Sequence, residues 1–332
     1  MSKNLLTGIG GFVASHLADY LLEQKEQVIG SYRWNEDLSK ITHIRDKITM
    51  IPADLLDLSS LIRLIADNKP DVIYHLAAQS FVNDSFTNPI ITVETNTIGT
   101  LNLLESIRLT KDYIHKDYNP IIMLCSSSEY YGKVNKDEVP ITESNPPRPG
   151  NQYAIGKIGA DMSGYFYSKY YGMKIITTRF FTHTGDRRTM DSAEVNFAKQ
   201  IAKIEYGLQE PIVRHGNLNS VRTWANVKDA VKAYYLLSKT GSMGEVYNIG
   251  GTQTKTIGEM LSYMISLSSM KDIIITIEDP ALVRNVDVNL QIVDTSKFKE
   301  NCNYEFNISF EETIKSVLDF WRNKIELDYD IK

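Results

Sequence analysis

Short apolar runs alternate with amphipathic segments through the first half of the chain. The apolar runs predict buried strands, and the amphipathic segments, with apolar positions three or four residues apart, predict helices. The predicted strands are Asn4–Leu6, Gln27–Ser31, Ile48–Pro52, Val72–Leu76, Ile121–Cys125 and Lys174–Thr178. The predicted helices are Phe12–Glu23, Leu58–Asn68, Val93–Leu109 and Tyr153–Tyr171. This alternation predicts βαβ units, and therefore an α/β fold built on a doubly wound parallel sheet.

The pattern becomes less regular after about residue 180. Charged, loop-rich segments such as Thr184–Ala193 alternate with short helix patterns and one further strand-like run, Glu245–Ile249. Because no linker composition separates the two halves, we expect a smaller C-terminal domain that is interwoven with the sheet. The predicted division assigns residues 1–180 and about 226–252 to a nucleotide-binding domain, and 181–225 and 253–332 to a substrate domain.

A glycine-rich turn follows the first predicted strand, in the segment Thr7–Ala14. Gly8 permits a tight turn, Gly11 lets a diphosphate approach the N–H groups of the next helix, and Ala14 allows that helix to pack closely. A strand before the turn and a helix after it favour a Rossmann-type dinucleotide site over a plain turn. The expected cofactor contacts here are Gly8, Gly10, Gly11, Phe12 and Val13.

The end of the second strand indicates which dinucleotide is bound. Enzymes that use NAD usually have an acidic residue there, which binds the ribose 2′-OH, whereas this chain has Arg33. An arginine can bind a 2′-phosphate, so the sequence predicts NADP, with NAD as the alternative. The Asp54 carboxylate could accept a hydrogen bond from the adenine amino group. Further contacts are expected from Leu55, Leu76, Ala77, Ala78 and Gln79.

Composition and charge exclude several classes of function. The chain of 332 residues is 42% hydrophobic and 23% charged, as in globular proteins, and its net charge of −5 without cationic clusters argues against nucleic-acid binding. No apolar run is long enough to cross a membrane, and the N-terminus has no signal-peptide pattern. The two cysteines, Cys125 and Cys302, favour a cytoplasmic location, and the histidines lack the spacing of metal ligands.

Four residues are candidates for catalysis. Tyr153 and Lys157 lie one helical turn apart, and a neighbouring ammonium should lower the pKa of the tyrosine so that it can accept a proton from a hydroxyl. Ser127 and Glu129 follow the strand that ends at Cys125, at the edge where open parallel sheets bind ligands. Ser127 could orient the proton transfer, and Glu129 could remove an acidic C–H proton. The alternatives are a coincidental tyrosine–lysine spacing and a solvated glutamate.

Taken together, these residues resemble those of the extended short-chain dehydrogenase/reductases, and most of all the GDP-mannose 4,6-dehydratase family. The resemblance extends from the Thr7–Ala14 loop to Trp321. Its markers are Leu76 to Ser80, Asn96 with Gly99 and Thr100, Ser127 to Glu129, Tyr153 with Lys157, His183 to Gly185 with Arg187 and Arg188, Gly216 to Leu218 with Arg222, and Arg284 with Asp287.

The resemblance implies a reaction on a GDP-hexose. Hydride would move from sugar C4 to the bound cofactor with Tyr153 as base, Lys157 as its electrostatic partner and Ser127 as the orienting hydroxyl. Glu129 would then remove the C5 proton, water would leave across C5 and C6, and the hydride would return to C6. The resemblance adds His183 to the cofactor contacts. Its implied substrate contacts are Ser80, Ser128, Thr182, Asn196, Lys199, Asn217, Arg222, Arg284 and Asp287.

Some positions depart from the family pattern, and they leave alternatives open. Thr182 precedes His183 where the family has asparagine, and Asp186 stands where proline is common, so GDP-N-acetylglucosamine or a GDP-heptose would fit as well as GDP-mannose. Rival functions are a nucleotide-sugar 4-reductase, 4-oxidase or epimerase, and a non-catalytic NADP-binding regulator. In relatives, the helices at Val93–Leu109 and Tyr153–Tyr171 pair between subunits, which implies a homodimer or homotetramer.

Overall fold

The structure, a computed structural model, describes residues 1–189, 192–283 and 288–330. The strands are β1 (Lys3–Thr7), β2 (Gln27–Tyr32), β3 (Thr49–Pro52), β4 (Val72–His75), β5 (Ile121–Cys125), β6 (Lys174–Phe180), β7 (His183–Thr184), β8 (Ile212–His215), β9 (Val221–Asn226), β10 (Val246–Ile249), β11 (Gln253–Thr256), β12 (Ile275–Glu278) and β13 (Leu290–Gln291). The helices are α1 (Phe12–Glu23), α2 (Leu58–Asn68), α3 (Asp84–Thr87), α4 (Pro89–Val93), α5 (Gly99–Leu109), α6 (Gln152–Tyr171), α7 (Ala193–Glu205), α8 (Val227–Thr240), α9 (Ile257–Ser266), α10 (Ser296–Cys302) and α11 (Phe310–Asp330).

The central sheet is parallel and has seven strands among the described residues, in the order β10-β6-β5-β4-β1-β2-β3. The strand order reverses between β1 and β4, where Thr7 of β1 lies beside His75 of β4. Ligands of open α/β sheets bind beyond the carboxyl ends of the strands at such a reversal. The fold class that the sequence predicts is therefore confirmed, and the reversal places the expected site at this edge.

Helices cover both faces of the sheet. On one face, apolar side chains of α1 and α8, among them Leu17 and Tyr234, form a core with residues of the strands. On the other face, α2, α5 and α6 contribute Leu61, Leu104 and Tyr167. Because both faces are covered, the strands are apolar without alternation, and this is the pattern from which they were predicted.

A second core lies outside the central sheet. Helices α7, α9 and α11 bury Phe197, Met260 and Val317 around Trp224 of β9. Strand β9 pairs with β11, β13 and β7, which forms a small mixed sheet. Strand β10, in contrast, returns to the central sheet beside β6. The chain thus leaves the first layer and re-enters it.

Two elements differ from the prediction at their ends. Strand β6 continues to Phe180, two residues past the predicted end, because Arg179 is buried in a bidentate ion pair with Asp161 of α6, at 2.8 and 3.1 Å. A charged residue therefore occupies a strand position that an apolar pattern does not reveal. The helix expected from Val93 begins at Pro89 and passes through a π-helical turn, Glu94–Ile98, into α5.

Candidate active site

The glycine turn between β1 and α1 fits a diphosphate. Gly8 has φ +68°, and a Cβ on it would lie 3.0 Å from the Cα of Ala77, so both conformation and space require glycine there. Gly11 is the N-cap of α1, with no side-chain cap, and the first helical turn contains no acidic residue. The N–H groups of Phe12 and Val13 therefore lie in the first turn of α1, where the positive end of the helix dipole suits an anion.

A chain of hydrogen bonds positions the segment that follows β4. Thr7 Oγ1 accepts the N–H groups of Leu76 and Ala77, at 3.1 and 3.0 Å, and lies 3.0 Å from Nδ1 of His75. The other ring nitrogen of His75 lies 3.0 Å from Oγ1 of Thr100. Burial lowers the pKa of His75 to about 3, and the nearby charge of Lys157 adds to this effect. His75 is therefore neutral, and it joins the two strands to α5.

Asn96 continues this support. Its Oδ1 accepts the backbone N–H of Gln79 at 2.9 Å, and its Nδ2 donates to the carbonyl of Gln79 at 3.0 Å. The predicted cofactor segment Leu76–Gln79 is therefore held along its backbone, and Ala78 and Ser80 lie within or beside it. In the sequence, Asn96 is visible only as a family marker, because its partner is 17 residues away in the chain.

The other predicted cofactor residues lie on the opposite side of the glycine turn. Arg33 follows β2 with an exposed side chain. The Asp54 carboxylate accepts the N–H of Leu56 at 2.9 Å, and the carbonyl of Leu55 accepts from Asn102 at 2.9 Å. The loop after β2 also brings the carboxylate of Glu36 to the N–H groups of Gly10 and Arg33, at 3.1 and 2.9 Å. An acidic group at this place was not predicted from the sequence.

The structure brings the four catalytic candidates together beyond the end of β5. Ser127 Oγ accepts the N–H of Glu129 at 3.2 Å, and the Ser127 hydroxyl is hydrogen-bonded to the side chain of Tyr153. Lys157 is buried and donates from Nζ to the carbonyl of Cys125 at 2.7 Å. Its Nζ lies 6.0 Å from the centre of the Tyr153 ring. A phenol, a hydroxyl, a carboxylate and an ammonium thus share one edge of the sheet.

The pKa of Tyr153 does not follow the expectation from sequence. Burial raises the pKa of Tyr153 to about 12, and the charge of Glu129 acts in the same direction. The hydrogen bond with Ser127 and the charge of Arg188 oppose that rise. The Lys157 ammonium donates to the Cys125 carbonyl, and burial lowers the pKa of Lys157 to about 8. The predicted lowering of the tyrosine pKa by Lys157 is therefore wrong for this structure.

Asn151 connects the two halves of this group. Its Oδ1 accepts the N–H of Ala154 at 2.8 Å and so caps α6, the helix that carries Tyr153. Its Nδ2 donates to Oε2 of Glu129 at 3.0 Å. One amide therefore fixes the start of α6 and the direction of the Glu129 carboxylate. A cap-forming asparagine before Gln152 is visible in the sequence, but its second contact is not.

The buried ion pair of Arg179 and Asp161 also supports the loop that carries Glu129. The Arg179 guanidinium carbon lies 3.5 Å from the centre of the Tyr130 ring, and its Nη1 donates to the hydroxyl of Tyr131 at 3.1 Å. These two tyrosines directly follow Glu129. The loop is therefore held on one side by Asn151 and on the other by a buried cation.

His183 and Arg188 close the site on the side of α1. The ring of His183 is stacked on Phe12, with ring centres 6.4 Å apart, and burial lowers its pKa to about 4. Arg188 donates to the carbonyl of His183 at 2.9 Å, and its guanidinium carbon lies 5.3 Å from the centre of the Phe12 ring. Arg188 is thus a cation between the glycine turn and Tyr153, whereas in the sequence it is visible only as a family marker.

The remaining substrate candidates are dispersed over several elements. Ser128 is buried in the turn after Ser127, and the backbone carbonyl of Thr182 accepts the N–H of Ala225 at 3.0 Å. On α7, Asn196 accepts from Gln200, and the Nζ of Lys199 lies 4.6 Å from the centre of the Trp321 ring. Asn217 donates to Ser220, and Arg222 of β9 donates to the carbonyl of Val221. Arg284 and Asp287 lie outside the described residues.

The described residues limit the chemistry in two further respects. Side chains of histidine, cysteine, aspartate and glutamate do not cluster in a way that could hold a metal ion in the described ranges. Among the helices described, none is both long and apolar enough to cross a membrane.

Known proteins are similar to this chain along almost its whole length. The family described as GDP-mannose 4,6 dehydratase matches residues 5–317. GDP-6-deoxy-D-mannose reductase of Pseudomonas aeruginosa is 26% identical over 96% of this chain and 97% of its own. GDP-mannose 4,6-dehydratase of Yersinia enterocolitica is 31% identical over 94% and 91%. The structure of RMD from Pseudomonas aeruginosa complexed with NADPH is 24% identical, covers 97% of this chain and 100% of that chain, and has a TM-score of 0.80.

The parallel sheet, the glycine turn and the serine–tyrosine–lysine group define the class as an extended short-chain dehydrogenase/reductase. Within that class, the match over residues 5–317 shows that the chain belongs to the GDP-mannose 4,6-dehydratase family.

The neutral state of His75 has a measurable effect on stability. Its pKa falls from 6.5 to about 3 on folding, so between these values the unfolded chain binds a proton that the folded chain does not. The contribution of neutral His75 to the free energy of unfolding is therefore fully present above pH 6.5 and is lost as the pH is lowered towards 3. We expect His75→Gln to reduce this loss by up to about 1.4 kcal/mol per pH unit. Urea unfolding of both proteins between pH 7 and pH 4.5 measures it, and parallel curves would contradict a neutral His75.

Proposed function

We propose that this enzyme is a GDP-sugar 4,6-dehydratase, which converts GDP-mannose or a close analogue to its 4-keto-6-deoxy derivative. The observation that carries the proposal is the position of Glu129, whose carboxylate is held by Asn151 beside the Ser127–Tyr153 pair. A simple oxidation or reduction of an alcohol has no use for a second base. Loss of water next to a new ketone does require one, because the C5 proton must be removed.

In this proposal Tyr153 accepts the proton of the sugar C4 hydroxyl, and Ser127 orients that hydroxyl through its bond to the tyrosine. A bound nicotinamide would supply the hydride acceptor at C4 and, later, the hydride donor at C6. Because burial raises the pKa of Tyr153 to about 12, its ionisation needs nearby positive charge or hydrogen bonds. Ser127 and Arg188 both act in that direction, so Arg188 joins the proposed site.

Glu129 then acts on the oxidised sugar. Its carboxylate would take the proton from C5, the electron pair of the C5–H bond would form the C5–C6 double bond, and the C6 hydroxyl would leave as water with the proton that Glu129 has taken. Asn151 donates to one carboxylate oxygen, which leaves the other oxygen available to the substrate. The Asn151 amide is an uncharged donor, so it directs the Glu129 carboxylate without neutralising its charge.

The substrate side of the proposal rests on the second core and the loops near it. We propose residues 1–180 and about 226–252 as the cofactor domain, and 181–225 and 253–332 as the nucleotide-sugar domain, in keeping with the return of β10 to the central sheet. Arg222 and Arg284 would bind the diphosphate of the substrate. Ser80, Ser128, Thr182, Asn196, Lys199, Asn217 and Asp287 are the other proposed contacts. Free thiols at Cys125 and Cys302 agree with a cytoplasmic location.

Removing the charge of Glu129 tests the reaction. We expect Glu129→Gln to lower formation of the 4-keto-6-deoxy product by about 100-fold or more, because general base catalysis contributes that much. Binding of cofactor and GDP should persist. Mass spectrometry for loss of water, with GDP-mannose, GDP-N-acetylglucosamine and a GDP-heptose as substrates, measures the rate and identifies the sugar.

Glu138→Gln is the matched control, since Glu138 is a carboxylate nearby in the chain that is paired with Arg148 instead. It should leave product formation close to that of the wild type. Unchanged loss of water in Glu129→Gln would contradict the role of Glu129 as the C5 base. Absence of water loss from all three GDP-sugars with the wild type would remove the dehydratase assignment. It would favour the 4-reductase, 4-oxidase or epimerase alternative on the same fold, and the reductase relative of 26% identity makes that the second candidate.

We propose NADP as the cofactor, with NAD as the alternative. The glycine turn and the uncapped start of α1 suit the diphosphate, and the exposed Arg33 after β2 can bind a 2′-phosphate. Arg33→Ala should weaken NADP binding by about tenfold, as expected for the loss of one charge-assisted hydrogen bond. It should leave NAD binding unchanged. Parallel fluorescence titrations measure both, and tighter binding of NAD than NADP by the wild type would overturn the assignment.

We also propose that two copies of the chain associate through α6 and the segment before α5. An apolar stripe on α6 is exposed in the single chain, with Ile155 at 41%, Met162 at 44% and Phe166 at 43%. Ile90 and Ile98, on the segment packed beside α6, are 74% and 45% exposed. Exposed apolar patches of this kind mark interaction surfaces. Two such pairs of helices would form a four-helix bundle in a homodimer or homotetramer.

A charge on this stripe should dissociate the assembly. Met162→Asp would bury a carboxylate in the interface, which costs several kcal/mol without a partner. We expect the variant to be monomeric at micromolar concentration in light scattering, whereas the wild type is at least dimeric. Leu208→Asp, at a similarly exposed leucine outside the stripe, is the control and should remain associated. A monomeric wild type would contradict the proposed interface.

A further inference from the structure

Glu36 occupies backbone donors at the end of the sheet where an adenosine ribose would lie. Its Oε1 accepts the N–H of Gly10 at 3.1 Å, and its Oε2 accepts the N–H of Arg33 at 2.9 Å. Gly10 belongs to the glycine turn after β1, and Arg33 directly follows the neighbouring strand β2. The residue that follows β2 is the one that reads the 2′ position of a dinucleotide.

Close approach of the Glu36 loop depends on the glycine at position 10. A Cβ on Gly10 would lie 2.5 Å from the carbonyl oxygen of Asp37 and 2.8 Å from Oε1 of Glu36. Any side chain there would push the loop away from the glycine turn. The loop is thus packed against the turn, and the carboxylate lies on it.

Cationic groups lie near this carboxylate, although the next residue, Asp37, is also acidic. Arg33, whose N–H group Glu36 accepts, has an exposed side chain. Lys40 follows in the short helical segment Ser39–Lys47. The charge of Glu36 acts on the Lys40 ammonium, and Arg187 donates to the carbonyl of Lys40 at 3.3 Å. Two backbone donors with cations around them form a place suited to an anion. In this structure the anion is the protein's own carboxylate.

We propose that Glu36 is an internal stand-in for the 2′-phosphate of NADP and thereby sets the preference between NADP and NAD. This inference rests on the proposed dinucleotide cofactor. A 2′-phosphate needs the same donors and repels the carboxylate, so NADP binding requires Glu36 to leave them. A ribose with free hydroxyls can donate to the carboxylate instead. Glu36 therefore opposes the selectivity that Arg33 provides.

Titration calorimetry with two fragments isolates this effect. The fragments 2′,5′-ADP and 5′-AMP differ only in the 2′-phosphate, and NADP and NAD serve as the full dinucleotides. We expect Glu36→Gln to tighten binding of 2′,5′-ADP and NADP by about tenfold, because a like charge at the phosphate is removed. Binding of 5′-AMP and NAD should stay unchanged or weaken slightly, and it also reports that the variant is folded.

Asp37→Asn is the matched control. Asp37 is the adjacent carboxylate, but its oxygens accept from Ser39 at 2.9 and 3.0 Å and not from the glycine turn. We expect this variant to keep the ratio of the two fragment affinities. An unchanged ratio in Glu36→Gln, or an equal change in Asp37→Asn, would overturn the inference while the cofactor proposal stands. If the wild type bound neither dinucleotide, both the cofactor proposal and this inference would be rejected.

Discussion

A single buried ammonium, that of Lys157, holds the two halves of the site in register. It donates from Nζ to the carbonyl of Cys125 at the end of β5, and only 7% of the residue is exposed. Because an unpaired charge is costly in the interior, α6 cannot move away from β5 without leaving this ammonium unsatisfied. The same charge helps, after burial, to keep His75 neutral on β4. The positions of Tyr153 and of the segment after β4 therefore depend on one group.

Much of the fold and the core of the site could be predicted because both follow from periodic patterns. Buried parallel strands are continuous apolar runs, so β5 and the helices α1 and α2 were predicted to the residue. Parallel strands share one carboxyl edge, which is why Ser127 and Glu129 could be expected near a glycine turn more than 100 residues earlier in the chain. The convergence of these groups is a consequence of topology.

The residues that the sequence did not reveal act through loops. Glu36 reaches the glycine turn across 26 residues, and Asn151 reaches Glu129 across 22. Loop conformation depends on close contacts such as that at Gly10, which no periodicity encodes. The pKa of Tyr153 shows the same limit. The spacing of Tyr153 and Lys157 fixes where their Cβ atoms lie, but not which acceptor the ammonium takes, and burial then outweighs the expected effect.

The partners of the carboxylates around the site follow a physical logic. Glu138 is paired with Arg148, and the hydrogen bond from that guanidinium lowers the pKa of Glu138 to about 2, so it is a poor base. Glu129 and Glu36 are held differently, by an amide and by backbone N–H groups. Neutral donors fix the direction of a carboxylate with weaker bonds than an arginine does. A carboxylate that must accept a proton, or must give up its donors to a ligand, needs this weaker kind of support, and the chain uses it at both ends of the proposed dinucleotide site.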